Sequence, residues 1–162
     1  MRSERTKEES YMAKLIGIAT HVHSKAPITK HQSIQVSLES GLENDFRGQQ
    51  NPKTQVTLLS AKTWDNICQS LNTSLDWSER RANLLIDDLD FSEGKALIGQ
   101  HIQVGKLLLE ITAETDPCER MEQLCPGLKN ALTPNWHGGV RCQVLKEGGI
   151  QLGDNVYLLK NF

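Results

Sequence analysis

The chain has 162 residues, of which 38% are hydrophobic and 23% are charged, and its formal net charge is -2. This length and composition are typical of one globular domain that has enough apolar residues to form a core. A nearly neutral chain gives no electrostatic reason to bind DNA, RNA or anionic membranes, so we expect no nucleic acid and no membrane among its partners.

The first residues, MRSERTKEESYM, are polar and alternate in charge, and they contain no apolar stretch typical of a signal peptide. We expect residues 1–11 to form a disordered tail and residues 12–162 to form the domain. No segment of the sequence is apolar for long enough to span a membrane. We therefore expect the protein in the cytoplasm, where thiols stay reduced.

Strand-like segments dominate the rest of the chain. AKLIGIATHV, SIQVSL and QVTLLS contain β-branched residues in partial alternation, and the polar segment ESGLENDFRGQQNPKT predicts a long loop before the third. Ser60 is then predicted to cap a helix, AKTWDNICQSL. More strands are predicted in HIQVGKLLLEITA, with a turn at Gly105, in GGVRCQVLKEGGI, and in VYLL. About eight short strands with few helices predict a mainly β fold, a barrel with short helices.

The segment ITAETDPCERMEQLCPGL contains two of the 4 cysteines, Cys118 and Cys125. Asp116 is predicted as an N-cap and Pro117 as the first helical residue, so Cys118 falls in the first turn, where backbone N–H groups favour a thiolate. Neighbouring acidic residues oppose that charge. Cys125 falls on the apolar stripe of this helix, which Pro126 is predicted to break. The pattern alone leaves Cys118 open as a metal ligand, a working thiol or an inert one.

Metal-binding patterns are weak in this sequence. No C-x-x-C pair occurs, and the spacing of Cys118, Cys125, His137 and Cys142 matches no zinc-binding pattern. We therefore expect no zinc held by protein side chains. The P-loop, the dinucleotide glycine fingerprint, H-E-x-x-H and G-x-S-x-G are absent as well.

Four segments, taken in order, resemble the MOSC domain, the module named after the C-terminal part of molybdenum-cofactor sulfurases. They are GLENDFRGQQNPKTQVTLLS, RRANLLIDDLDF with IGQHIQVGKLLLEITAETDPCERM, PGLKNALTPNWHGGVRCQVLKEGGI, and QLGDNVYLL, within residues 14–159. The chain is most similar in size to the small stand-alone bacterial members. The resemblance implies a MOSC-type β-barrel, in agreement with the strand count.

The resemblance also implies a set of site residues. Cys118 matches the cysteine of the family's PC motif, which implies that it is the active thiol, carrying sulfur as a persulfide or ligating the molybdenum of a pterin cofactor. Arg47, Arg81 and Asn83 match family positions and are implied as cofactor-binding residues. His137 stands where many members have an arginine before the glycine pair, and a protonated histidine there can still bind an anion.

The resemblance leaves several functions open. The first is a sulfur carrier or a protein that binds the molybdenum cofactor (molybdopterin). The others are a molybdenum-dependent reductase of N-hydroxylated compounds and a non-catalytic module that binds a small anion or a partner. The resemblance also implies molybdenum ion binding, pyridoxal phosphate binding and catalytic activity. The expected partners are a small-molecule cofactor and a sulfur donor protein, and no oligomeric state is indicated.

Overall fold

The computed structural model describes residues 12–159, so the tail predicted at residues 1–11 and residues 160–162 of the predicted domain lie outside the described residues. The strands in this range are β1 Met12–Thr20, β2 Thr29–Lys30, β3 Ser33–Ser37, β4 Gly41–Leu42, β5 Val56–Ser60, β6 Leu84–Ile86, β7 His101–Val104, β8 Leu107–Glu114, β9 Val140–Lys146, β10 Gly148–Gln151 and β11 Asn155–Leu159. The α-helices are α1 Ala61–Ser70, α2 Glu119–Leu124 and α3 Leu128–Leu132. The 3-10 turns are Arg47–Gln49, Pro52–Thr54, Trp77–Arg80, Gly94–Leu97 and Pro134–Trp136.

Seven strands close into a barrel within residues 12–159. Their order is β11-β7-β8-β9-β5-β6-β1, and pairing between β1 and β11 completes the ring. Neighbours are antiparallel except β5 and β6, which run parallel with Leu58 opposite Leu84. β2 pairs with the end of β1, and β3, β4 and β10 form a separate three-stranded sheet. The prediction of a mainly β barrel with a few short helices is confirmed.

The barrel is filled by apolar side chains that alternate along each strand. In β1, Ala13 and Leu15 are buried while Lys14 and Ile16 are exposed. This period of two is the one expected when one face of a strand points into a core. Burying these side chains supplies the main favourable free energy of folding, since each large aliphatic residue contributes roughly 1.5–3 kcal/mol.

β5 is buried on both faces because the helices pack outside it. Leu58 belongs to the barrel core, whereas Leu59 belongs to a second cluster with Trp64 of α1 and Leu128 of α3. The continuous apolar run VTLLS therefore lies between two apolar layers, and the helices hold the outer wall of the barrel in place.

No helix among residues 12–159 is long and apolar enough to cross a membrane.

The predicted start of α1 is confirmed, because Ser60 accepts a hydrogen bond from the Thr63 N–H at 3.2 Å, and the helix ends at Ser70, one residue before the predicted end at Leu71. The predicted break at Pro126 also occurs, between α2 and α3. The predicted start of α2 is wrong. Cys118 is its N-cap, with extended backbone (φ -112, ψ 175), rather than a residue of its first turn. The chain stays extended beyond β8 because the Thr115 N–H still donates to the Gly139 carbonyl at 2.9 Å, which delays the helix.

Candidate functional site

A cavity of about 220 Å³ lies where β5 and β9 meet the segments that carry Arg80 and Cys118. Its lining comprises Arg47, Thr57, Leu58, Arg80, Arg81, Ala82, Thr115, Asp116, Cys118, Arg120, Met121, Gly138 and Arg141. Five of these residues are arginines and one is an acid. In a chain of net charge -2, this concentration of positive charge makes the cavity a local anion-attracting region.

Arg80 is the most deeply buried of these arginines, with 7% of its surface exposed. Its Nη2 donates to the carbonyls of Thr115 at 2.9 Å and Gly138 at 3.1 Å, which fixes the guanidinium. Its Nε has no partner. Burial lowers the pKa of Arg80 to about 10; repulsion from other arginines adds to this, and Cys118 and Asp116 oppose it. The residue therefore keeps a costly charge at neutral pH with a donor still unused.

Three more buried donors, which belong to residues of the cavity lining, lack partners: Arg47 Nε, Arg141 Nε and Thr115 Oγ1. With Arg80 Nε they make four of the six unpartnered buried side-chain polar atoms found among residues 12–159. Buried polar groups are normally hydrogen-bonded, so such a concentration indicates a place built to receive an acceptor. Guanidinium groups and a hydroxyl together suit an oxyanion.

The glycine pair Gly138–Gly139 allows the close packing behind this cavity. A Cβ on Gly138 would lie 2.9 Å from Arg80 Nη2 and 2.3 Å from the Thr115 carbonyl oxygen. Gly139 adopts φ +100, and a Cβ there would meet the Leu58 carbonyl oxygen at 2.2 Å. The backbone can approach Arg80 because Gly138 has no side chain, and it can approach Leu58 because Gly139 has none.

Cys118 is exposed and lines the cavity, and none of the four cysteines is in a disulfide. Cys68 and Cys142 are buried, and burial raises the pKa of both thiols. Cys125 is partly buried and packs against the helical cluster, as predicted. Cys118 is therefore the one cysteine of the chain that combines exposure with a place among the arginines. The Asp116 carboxylate also lines the cavity and partly offsets their charge.

The fold and this site together place the chain among known proteins. The family model for the MOSC domain matches residues 45–157. The chain belongs to the MOSC domain family. The matched range contains every residue of the cavity described above.

Solved structures similar to this MOSC chain share its fold at low sequence identity. The YuaD protein from Bacillus subtilis is 16% identical, with a TM-score of 0.75, over 93% of this chain and 97% of that one. YiiM from Geobacillus stearothermophilus is 14% identical, with a TM-score of 0.64, over 92% and 75%. YiiM from Escherichia coli is 13% identical, with a TM-score of 0.65, over 92% and 71%. A search of curated proteins by sequence finds no match.

Arg47 and Arg81 of the MOSC chain, both predicted site residues, lie together between two cavities. Arg47 Nη2 donates to the Arg81 carbonyl at 3.4 Å, and Arg81 Nη2 donates to the Ala26 carbonyl at 2.8 Å. Both also line a neighbouring cavity of about 300 Å³ that contains His21 and Phe46. Burial lowers the pKa of His21, as do the charges of Arg81 and Arg47. A neutral imidazole and a phenyl ring therefore lie beside the two guanidinium groups.

Two other predicted residues lie outside the lining of the arginine cavity. Asn83 is fully buried, its Oδ1 accepts from the Thr57 N–H at 3.0 Å, and its Nδ2 donates to the Ala19 carbonyl at 3.2 Å. His137 follows a 3-10 turn, and its Nδ1 lies 3.2 Å from the Ala131 carbonyl oxygen. The structure thus brings Cys118, Arg47 and Arg81 together in the cavity lining, and it places Asn83 and His137 outside that lining.

Sequence reasoning missed Arg80, Arg141 and Thr115. Arg80 precedes Arg81 directly, and Arg81 adopts a left-handed conformation (φ 62) that ends the 3-10 turn. Nothing in the pair RR shows which side chain turns inward. Arg141 lies between the buried residues Val140 and Cys142, and a basic residue between two apolar residues of a strand is the available signal. Within residues 12–159, no three His, Cys, Asp or Glu side chains gather as metal ligands.

Proposed function

We propose that this MOSC-domain protein works through the thiol of Cys118 beside an arginine-lined anion cavity. In this proposal the thiol carries sulfur, or it ligates the molybdenum of a pterin cofactor that the arginines hold. The observation that supports the proposal best is the set of buried donors without partners next to an exposed thiol. A thiolate is both the nucleophile in sulfur transfer and a good ligand for soft metals.

The donor chemistry of the cavity fits the phosphate of such a cofactor. Arg80, Arg141 and Thr115 line the cavity, and each has a buried donor without a protein partner, which a small side-chain shift would turn toward an oxygen acceptor. A cavity of about 220 Å³ is smaller than the roughly 300–1,000 Å³ of most organic-ligand sites, so it would hold the anionic group alone. Arg47 and Arg81, which line this cavity and the neighbouring one with His21 and Phe46, would help to hold the rest of the cofactor.

In this proposal Arg80 and Cys118 have different roles. Arg80 would bind and orient the anionic group, because its guanidinium is already fixed by two carbonyls. Cys118 would supply the thiolate, either as the atom that keeps a transferred sulfur or as a metal ligand. When bound, the cofactor would supply the redox chemistry of molybdenum. We also propose that this takes place in the cytoplasm, with a small molecule or a sulfur donor protein as the partner.

Two alternatives use the same cavity. A non-catalytic binding module is favoured by the fact that the unpartnered donors would hold an anion whether or not the thiol reacts. A molybdenum-dependent reductase of N-hydroxylated compounds requires the metal. Pyridoxal phosphate gains no support, because a Schiff base needs a lysine and the cavity lining contains none.

The test is native purification from a host that makes the molybdenum cofactor, followed by intact-mass analysis, metal analysis and pterin fluorescence. A sulfur carrier shows one added sulfur atom that a reductant removes and that Cys118→Ser lacks. A cofactor-binding protein shows stoichiometric molybdenum and pterin, both lost in Arg80→Gln. If neither adduct appears but sulfate binding is strong in Cys118→Ser and lost in Arg80→Gln, the binding module is correct. Absence of all three rejects the proposal and both alternatives.

A further inference from the structure

We propose that Cys118 takes its sulfur from a small oxyanion that carries a sulfane sulfur, the thiosulfonate class of which thiosulfate is the simplest member. This inference rests on the proposed function, since it uses the same thiol and the same cavity. It adds the chemical class of the sulfur donor, and it allows a free small molecule to load Cys118 in place of a donor protein.

The first argument is the match between the donor's sulfonate group and the cavity. A sulfonate is a compact tetrahedral anion that accepts hydrogen bonds on every oxygen. Arg80 is 7% exposed, and its Nε points at no protein acceptor; Arg141 Nε and Thr115 Oγ1 are also without partners. The volume of about 220 Å³ admits this anion together with a few water molecules.

The second argument is the position of the thiol. Cys118 is exposed and lines the same cavity as the residues with unpartnered donors, so an anion bound there lies beside this residue. Asp116 lines the cavity too and disfavours a dianion, but the lining contains five arginines against this one acid. Cys68, Cys125 and Cys142 are not in the lining, so the cavity presents a bound donor to Cys118 alone.

The proposed reaction is balanced without any external oxidant or reductant. The Cys118 thiol loses its proton to solvent, and the thiolate attacks the outer sulfur of thiosulfate. A bond forms between Sγ and that sulfur, while the bond from that sulfur to the sulfonate sulfur breaks. The electron pair of the broken bond leaves with sulfite. Cys118 then carries a persulfide, and the arginines stabilise the charge that accumulates on the leaving sulfite.

The experiment uses the reduced full chain with an excess of thiosulfate. Released sulfite is measured over time, and the gain of one sulfur atom is mapped by peptide mass spectrometry. We expect sulfite in proportion to protein, the added sulfur on the Cys118 peptide, and neither in Cys118→Ser. Arg80→Gln and Arg141→Gln should each slow sulfite release about tenfold or more, the fold-change expected for a lost charged hydrogen bond. Cys125→Ser and Lys106→Gln, which lie outside the cavity lining, should leave the rate unchanged.

Arg141→Gln covers the case in which Arg80→Gln fails to fold, because Arg141 is only partly buried. Alkylation of Cys118 by neutral iodoacetamide is measured in every variant. Absence of sulfite release from the intact protein overturns the inference. An equal fall in alkylation and sulfite release also overturns it, because the arginines would then act on the thiol and not on the donor. If sulfite is never released yet native protein still carries a pterin or sulfur adduct on Cys118, this inference fails while the proposed function stands.

Discussion

The guanidinium of Arg80 and the backbone of Gly138 are in direct contact. Nη2 donates to the Gly138 carbonyl at 3.1 Å, and a Cβ on Gly138 would lie 2.9 Å from that nitrogen. The same Cβ would lie 2.3 Å from the Thr115 carbonyl oxygen, the other acceptor of Arg80. One missing side chain therefore allows both hydrogen bonds that orient the arginine toward the cavity.

Gly138→Ala should weaken anion binding through Arg80. The added methyl group must displace the guanidinium or the Thr115 backbone, which costs about 1–3 kcal/mol of folding free energy, as overpacking does elsewhere. We expect sulfate affinity, measured by calorimetry, to fall by about tenfold, in line with the loss of a charged hydrogen bond.

The matched control is Gly149→Ala, whose Cβ would meet only the end of the Gln35 side chain at 2.8 Å, a group that can move. It should leave sulfate affinity unchanged. Equal sulfate affinity in the Gly138 variant and the original chain would show that the contact does not orient Arg80.

Two alkylating agents that differ in charge test whether Cys118 lies in a positive environment. Iodoacetate and iodoacetamide attack the same thiolate but differ in charge. Nearby arginines should raise the ratio of the iodoacetate rate to the iodoacetamide rate for Cys118 by about fivefold over that for Cys125, because a positive cavity concentrates anions. Cys68 and Cys142 should stay unmodified, since they are buried. Rates are measured by peptide mass spectrometry of the native protein.

Salt provides the control for this ratio. High sodium chloride should bring the two ratios together, because screening weakens the attraction of exposed charges. The acidic residues near the thiol, Asp116 and Glu119, would instead give Cys118 the lower ratio if they outweigh the arginines. That outcome would falsify the anion-attracting character of the cavity.

Local sequence signals predicted the barrel and the helix α1 because their causes are local. Alternation in MAKLIGIAT follows from one buried face, and the Ser60 cap is a contact across three residues. The two-residue strands Thr29–Lys30 and Gly41–Leu42 were not predicted, since two residues show no period. The start of α2 was placed too early, because the bond from Thr115 to Gly139 joins distant segments.

The site was only partly predictable for the same reason. The family motif marks Cys118, but the partners of Arg80 are Thr115 and Gly138, separated from it by 35 and 58 positions. Conversely, Asn83 is a plausible polar ligand in the sequence alone, yet its donors and acceptors are all directed at backbone and side chains within the barrel wall. Such choices depend on tertiary contacts that no short pattern contains.

Asn83→Ala should destabilise the protein while leaving the anion site in place. The substitution leaves the buried Thr57 N–H and the Ala19 carbonyl without the partners they now have. Unpaired buried groups of this kind cost about 2–3 kcal/mol in unfolding free energy. Urea denaturation measures that loss, and sulfate affinity of the folded fraction should stay unchanged.

Asn66→Ala is the matched control, since Asn66 is exposed on α1 and should cost little. Unchanged stability of Asn83→Ala together with weaker anion binding would contradict this structural role. It would instead support the cofactor-binding role predicted for Asn83 from the family resemblance.

Sulfate affinity should fall as pH rises through about 10, because Arg80 has a pKa lowered to about 10 by burial. Below that pH the guanidinium is charged and binds sulfate, which stays a dianion throughout. As the free protein loses this proton near pH 10, affinity falls there, and the fall levels off at about tenfold, the loss expected for one charged hydrogen bond. Bound sulfate favours the charged form, so saturating sulfate shifts the transition to higher pH.

The measurement is calorimetry at several pH values in the Cys118→Ser background, which removes the thiol from the cavity. Arg80→Gln in the same background shows how much of the fall in sulfate affinity is caused by lysines and the other arginines. Protein stability should change in the opposite direction to sulfate affinity. Because burial lowers the pKa of Arg80 in the folded state, the folded state binds fewer protons than the unfolded state between about pH 10 and the ordinary pKa of an arginine. Its contribution to the free energy of unfolding therefore rises with pH in that window while sulfate binding weakens. Parallel affinity curves with and without Arg80 would contradict its role as the pH-sensitive donor.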